Sequence, residues 1–283
     1  MLTLAHVLAV FTAFLRQQND GVTNRDPATS RRSVPALTAI TRGTEHACGL
    51  TPTGRAFCWG SNRLGQLGDD GQLASRTPDG PVVAVDTRES FVVISAGANH
   101  TCALTRDGAA FCWGLNLTGE LGQAIVANVC DTFFPCGRRP VRVETSVVFD
   151  TLSSGFGHTC ALSGGRAFCW GRNDRGQLGS VRADDSCDGV ACNVLPVRVT
   201  GIDAFTQISA GGDHTCGIAA GVAYCWGSNA YAQLGVAEAV QSSARPLRVA
   251  ISERVEAIEA KGIHTCATTA LGRRVCWGRV GSE

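Results

Sequence analysis

An all-β fold, a β-propeller of about five four-stranded antiparallel blades, follows from three features of this 283-residue sequence. A histidine followed two residues later by cysteine, and nine or ten residues after that by Cys-Trp-Gly, starts five times, at His46, His100, His158, His214 and His264. The copies recur every 50 to 58 residues and put all five tryptophans, Trp59, Trp113, Trp170, Trp226 and Trp277, at one equivalent position. Each copy holds short apolar or β-branched runs separated by turn residues, with no helical period.

The first strand of each repeat is an apolar run ending six residues before the histidine: Leu37 to Ile40, Phe91 to Ile94, Phe149 to Leu152, Phe205 to Ile208 and Val255 to Ile258. The second and third strands form a hairpin whose register the turn chemistry reveals. Where the two cysteines stand nine apart, pairing them leaves a two-residue loop, Gly164-Gly165 or Ala220-Gly221, and such loops need positive φ. Where they stand ten apart, the three-residue loops all end in glycine, at Gly54, Gly108 and Gly272. The extra residue sits in the turn, so the cysteines stay opposite each other. That register sets Phe57, Phe111, Phe168, Tyr224 and Val275 across from small residues and alternates the rings and tryptophans to one face, His, Cys and Leu to the other. Both faces are largely apolar, as for a sheet packed between neighbours. A Gly-rich turn ending in Leu-Gly follows in four copies, then a loop and a β-branched run at Pro81, Pro140, Pro196 and Pro246. The repeats span about residues 36–86, 87–144, 145–200, 201–250 and 251–283 of a domain covering 34–283, preceded by a leader or linker over 1–33.

Fourteen cysteines are too many, and too well paired, for a reduced cytosolic protein. Ten form cross-strand pairs: Cys48 with Cys58, Cys102 with Cys112, Cys160 with Cys169, Cys216 with Cys225 and Cys266 with Cys276. Zinc is the rival reading, since His46, Cys48 and Cys58 share a face, but the spacing lacks Cys-x₂₋₄-Cys and a fourth ligand, which favours disulfides. Cys130 and Cys136 share one inter-strand loop, Cys187 and Cys192 the next. Bridges within each loop are favoured, with a link between the loops still open. The location expected is extracytoplasmic: secreted, periplasmic or cell surface.

With 25 basic against 24 acidic residues, a net charge of +1 and one lysine, the sequence lacks the electrostatic footprint of a nucleic-acid binder. No run reaches the ~18 apolar residues of a membrane span. Residues Leu2 to Leu15 are apolar enough for the core of a secretory signal but lack preceding basic residues and a clean cleavage site, so a signal and a bland leader remain alternatives.

The string Gly-x-x-His-Thr-Cys-Ala-Leu-Thr, aromatic-Cys-Trp-Gly and Gly-Gln-Leu-Gly, seen well over Ile94 to Gly122 and Ile208 to Gly235, resembles the repeat of the regulator of chromosome condensation family. The resemblance covers about residues 36 to 279 and implies four-stranded blades around an axis, commonly seven of them. With five copies here, the last without its outer strand, three arrangements are open: a ring closed by the segment around Pro27 to Pro35, an open arc, or part of a larger ring. Its functional implications diverge. The eukaryotic namesake promotes nucleotide exchange on a nuclear GTPase; a plant photoreceptor uses clustered tryptophans; secreted, disulfide-rich bacterial propellers present loops to proteins, and that last group matches the cysteines.

Five equivalent histidines read as architecture, because an active site is asymmetric. No phosphate-binding loop, nucleophile elbow or His-Glu-x-x-His motif occurs, and no cofactor, metal or catalytic residue is assigned. Asymmetry is more informative. The loops Gln123 to Arg139 and Ser180 to Leu195 are long, carry their own cysteine pairs and should emerge side by side on one face. The first holds Phe133 and Phe134 beside Arg138 and Arg139, an interface-like composition; the second holds Asp184, Asp185 and Asp188. The function expected is non-catalytic binding of a protein or glycan by a monomeric exported scaffold. The alternatives are a nucleotide-exchange regulator of a small GTPase and an enzyme with a site near the propeller axis.

Overall fold

The computed structural model describes residues 35–71, 80–124, 128–131, 133–181, 185–237 and 239–279. All belong to one compact unit, Pro35–Glu283. The leader 1–33 and the candidate closing segment up to Val34 lie outside the described residues.

Five antiparallel sheets follow one another along the chain as blades. The first comprises β1 (Ala39–Arg42), β2 (His46–Leu50), β3 (Ala56–Gly60) and β4 (Val83–Ala84). In the second, β5 (Phe91–Ala96), β6 (His100–Thr105) and β7 (Ala110–Leu115) are followed by β8 (Asn128–Cys130) and β9 (Phe134–Arg142). The third repeats this plan with β10 (Thr151–Ser154), β11 (His158–Ser163), β12 (Arg166–Arg172), β13 (Asp185–Cys187) and β14 (Val190–Arg198). The fourth holds β15 (Phe205–Ala210), β16 (His214–Ala219), β17 (Val222–Ser228) and β18 (Ser242–Arg248), and the fifth β19 (Val255–Lys261), β20 (His264–Thr269) and β21 (Arg274–Gly278). First strands of successive blades lie against one another, which makes them the inner strands.

The hairpin register is the one the turns dictate. Cys48 pairs with Cys58 and Gly49 with Phe57, Ala103 with Phe111, Ala161 with Phe168, Gly217 with Tyr224 and Ala267 with Val275. Both residues of the tight loops have positive φ, at Gly164 and Gly165 and at Ala220 and Gly221. All fourteen cysteines are bridged, five pairs across the hairpins and two within the loops as Cys130–Cys136 and Cys187–Cys192. The metal alternative therefore finds no free thiolate.

Three expectations need correction. The first strands of blades one and three begin and end two residues later than their apolar runs, because Thr41 and Arg42, and Ser153 and Ser154, continue the backbone pairing with β2 and β11. Pairing sets the strand, and apolarity marks only the buried part of it. The long loops are not irregular throughout: β8 and β13 fold back on β9 and β14 and give blades two and three a fifth strand. Pro140, Pro196 and Pro246 lie inside their strands rather than ahead of them. Each falls where the ladder to the third strand breaks register, a place that tolerates a residue without an N–H.

Neighbouring blades bury four apolar clusters. Each joins the cysteines, Leu or Ile of one blade to the inner strand and tryptophan of the next, as with Cys48, Leu50 and Leu67 against Phe91 and Trp113. The cluster around Trp170 joins blades two and three, that around Trp226 joins three and four, and the fourth joins four and five.

Candidate functional site

The blades are fastened by a polar latch that reuses the repeat's own residues. His46 Nε2 lies 2.8 Å from Thr101 Oγ1 in the next blade, and His100 with Thr159, His158 with Thr215 and His214 with Thr265 repeat this at 2.8 to 2.9 Å. Thr215 Oγ1 donates to the Gln177 carbonyl and Thr265 Oγ1 to that of Gln233, each at 2.9 Å. A hydroxyl has one hydrogen, so in the latches of His158 and His214 the imidazole Nε2–H is the donor to the threonine. The same carbonyls also accept from the next blade's indole, Trp226 Nε1 to Gln177 and Trp277 Nε1 to Gln233. Burial lowers the pKa of His46 and His214 to about 4 and of His100 and His158 to about 3. These four imidazoles are therefore neutral at neutral pH. On the inner strands, Thr41, Ser95, Ser153 and Ser209 hydroxyls each accept from a backbone N–H of the following blade at 2.9 Å.

The turn that carries the accepting carbonyl is built by two amides. Asn62, Asn116, Asn173 and Asn229 each accept, through Oδ1, from the N–H of the leucine five residues on. The glutamines accept from the N–H two residues before them, as Gln66 does from Leu64. The second blade substitutes Glu120, whose carboxylate accepts from both the N–H and the hydroxyl of Thr118. Burial raises the Glu120 pKa to about 7 against the pull of those hydrogen bonds.

These turns and the connections into the second strands emerge at one end of the blades, and the two stapled hairpins project from that end. Cys136 pairs beside Leu115, at the end of β7, and the β8–β9 hairpin runs on beyond it. Phe133 at its tip is 82% exposed and Phe134 is exposed as well. Arg138 and Arg139 do not stand free beside them. Arg138 donates to the Asp70 and Gly71 carbonyls at 2.9 and 2.8 Å, and Arg139 reaches Asp70 at 3.0 Å and Asp86 at 2.8 Å. Together with the Arg63–Asp131 ion pair at 2.7 Å, they clasp the hairpin to the first blade. In the third blade Asp185 accepts from the Val194 N–H at 3.0 Å, Asp188 occupies the hairpin turn at φ 48°, and Asp184 lies outside the described residues.

Two exposed aromatics at the same end carry no motif of their own. Phe156 is 49% exposed over Gly212, at a position held elsewhere by Thr44, Ala98, Gly212 and Gly262. Tyr231 stands where the other turns have Leu64, Thr118 and Arg175. In both cases the available signal was a large ring interrupting a column of unrelated residues across the repeats.

The fold and this end define the class first: an all-β propeller whose blades are latched alike and whose individuality lies in its loops. The chain belongs to the regulator of chromosome condensation (RCC1) repeat family. Two models of that repeat match residues 53–104 and 164–218, and residues 38–66, 91–120 and 149–177, together more than half of the chain. Among relatives, protein pim1 of Schizosaccharomyces pombe is 26% identical over 228 residues, 76% of this chain and 41% of its own length. The ultraviolet-B receptor UVR8 of Arabidopsis thaliana is 28% identical over 245 residues, 85% of this chain and 52% of its own. The structure of Prp20p from Saccharomyces cerevisiae superposes with a TM-score of 0.67 at 25% identity, covering 83% of this chain and 56% of that one. The chain thus spans less than two thirds of each. Among the described residues no helix is long and apolar enough to cross a membrane, and no three His, Cys, Asp or Glu side chains are grouped to hold a metal ion.

Proposed function

We propose that this chain is a non-catalytic, exported protein-binding scaffold that presents the stapled hairpins and central turns at one end of its blades. The observation that carries the reading is Phe133, 82% exposed at the tip of a hairpin closed by Cys130–Cys136 and clasped by Arg63, Arg138 and Arg139. A large apolar side chain held outward on a pre-ordered loop loses little entropy on binding, and such anchors dominate interface energies. The arginines supply the order and the rings the contact; Phe156 and Tyr231 extend the apolar surface across neighbouring blades. Export is supported by seven disulfides, which persist in oxidising compartments. Protein partners are supported by the relative Prp20p, whose structure is described with its binding to Gsp1p and histones.

The test is a photo-crosslinker at Phe134, comparing capture by the otherwise native chain with capture by Phe133→Ala in its own extracytoplasmic milieu. One defined protein species, lost with Phe133→Ala while the thermal transition is unchanged, is the expected result. Equal capture by both, or capture only of a glycan, removes the hairpin or the protein partner from the proposal. Free thiols in the natively recovered protein remove export and return nucleotide exchange to the front.

A further inference from the structure

Four turns share one plan, and three of them close on an amide, Gln66, Gln177 or Gln233, whereas the second blade closes on an acid, Glu120. Glu120 is 3% exposed, and its carboxylate accepts from the Thr118 N–H at 2.7 Å and from the Thr118 hydroxyl at 2.9 Å, neither of which carries a charge. The cation whose field reaches it is Arg172, at the end of β12 in the third blade, where the adjoining blades hold Leu115 and Ser228. Two other carboxylates hold that guanidinium. Its Nε and Nη2 lie 2.7 and 2.8 Å from Asp174, and its Nη1 lies 3.9 Å from Asp213 of the fourth blade. Asp174 also has Arg175 Nε at 3.6 Å, so it keeps a cation without Arg172. The path to Glu120 runs over Gly157. A Cβ there would stand 3.6 Å from both Arg172 Cδ and Thr118 Oγ1, so the arginine stem and the hydroxyl that holds Glu120 meet across a bare α-carbon.

We propose that Glu120 and Arg172 form a charge-operated switch: when Glu120 gives its proton to solvent, the Arg172 guanidinium leaves Asp174 and Asp213 for the buried carboxylate, and reprotonation returns it. An exposed ion pair contributes little to stability, whereas a buried carboxylate without a counter-charge is costly, so the arginine follows the buried charge. Burial raises the Glu120 pKa to about 7, which puts the exchange near neutral pH. The other charged and titratable groups around the turn supply no counter-charge. His158, at the head of β11, is neutral there, and Arg138 and Arg139 on β9 are held by the first blade. Asp185, which accepts from Val194 beside the turn, and Glu144 after β9 are exposed acids. The exchange releases Asp213, next to the Gly212 under Phe156, so this end of the blades gains negative charge as the pH rises through neutrality. The inference stands apart from the binding proposal, since it concerns charge movement within the chain and not a partner.

The experiment titrates the ¹⁵N-labelled chain, disulfides intact, from about pH 5.5 to 8 and follows two side-chain N–H resonances by NMR. Trp170 Nε1–H donates to the Glu120 carbonyl at 3.0 Å and reports the acid; Arg172 Nε–H, assigned by its loss in Arg172→Gln, reports the arginine. Both are expected to move with one shared midpoint near pH 7, and neither to move in Glu120→Gln, which restores the amide of the other three turns. Arg172→Gln removes the attracting cation and should raise the Trp170 midpoint by about half a unit or more, while Asp213→Asn removes a competitor for that cation and should lower it. An Arg172 resonance that stays still while Trp170 titrates overturns the switch. So does the lack of any titration in this range, a shared midpoint that survives Glu120→Gln, or an Arg172→Gln midpoint that does not rise.

Discussion

Lowering the pH from 6.5 to 5 should unlatch the blades, and the size of the effect follows from five buried groups. His46, His100, His158 and His214 have their pKa values depressed from 6.5 to about 4, 3, 3 and 4, so the unfolded chain binds protons that the folded chain refuses. Their contribution is intact above pH 6.5 and is lost as the pH falls toward 4. Glu120, raised from 4.5 to about 7, acts in the opposite sense: its folded form holds a proton the unfolded one has released, and its burial costs stability as the pH rises from 4.5 through 7. At pH 5.5 the four unfolded histidines hold about 3.6 protons and the folded ones almost none, while Glu120 returns about 0.9. Unfolding therefore takes up about 2.7 protons, a slope of about 3.7 kcal/mol per pH unit. Integrated from pH 6.5 to 5, the loss is about 5 kcal/mol, comparable with the whole stability of many domains, which is about 5 to 15 kcal/mol. Urea unfolding with the disulfides intact, repeated across that window, measures the slope. Glu120→Gln should steepen it to about 3.6 protons, and His158→Gln, which keeps a donor for Thr215, should remove nearly one. An uptake below about one proton at pH 5.5, or histidine resonances titrating near 6.5 in the folded protein, would refute the latch as described.

Other substitutions probe the same construction. Thr215→Val keeps the shape but strands the His158 donor and vacates one bond to the Gln177 carbonyl, so a loss of about 2 kcal/mol in unfolding free energy is expected, with Thr215→Ser recovering part of it. Gly176 has φ 78° and an added Cβ would lie 2.6 Å from Ala244 Cα; Gly176→Ala should cost more than about 2 kcal/mol by chemical denaturation. Ala232, at the equivalent place with φ 59°, already carries a Cβ, and Ala232→Gly should be neutral or raise stability by up to about 1 kcal/mol. Trp226→Phe retains most of the apolar ring but loses the 3.0 Å bond to Gln177, and a loss of about 1 to 3 kcal/mol should appear in thermal unfolding.

The sequence by itself determined the blade. Spacing of nine or ten between cysteines, glycine in the loop and a ring opposite a small residue are all relations within about a dozen residues, and strand alternation and turn chemistry convert them directly into register, as Cys160 opposite Cys169 shows. The two loop bridges were favoured on the same local grounds. What a residue does toward its neighbours was decided only by tertiary structure. His158 and Thr215 lie 57 positions apart, so the latch and its depressed pKa values depend on how blades stack. Arg138 and Arg139 have the composition of a binding patch, yet the first blade brings Asp70 and Asp86 to them and makes them a clasp. Phe133 has the same kind of sequence neighbourhood, yet no described residue of the first blade is brought over its ring, and it stays 82% exposed. Backbone register is set by short-range geometry, whereas burial and partnership depend on which distant surface arrives, and for Arg139 and Phe133 that made opposite outcomes out of one loop.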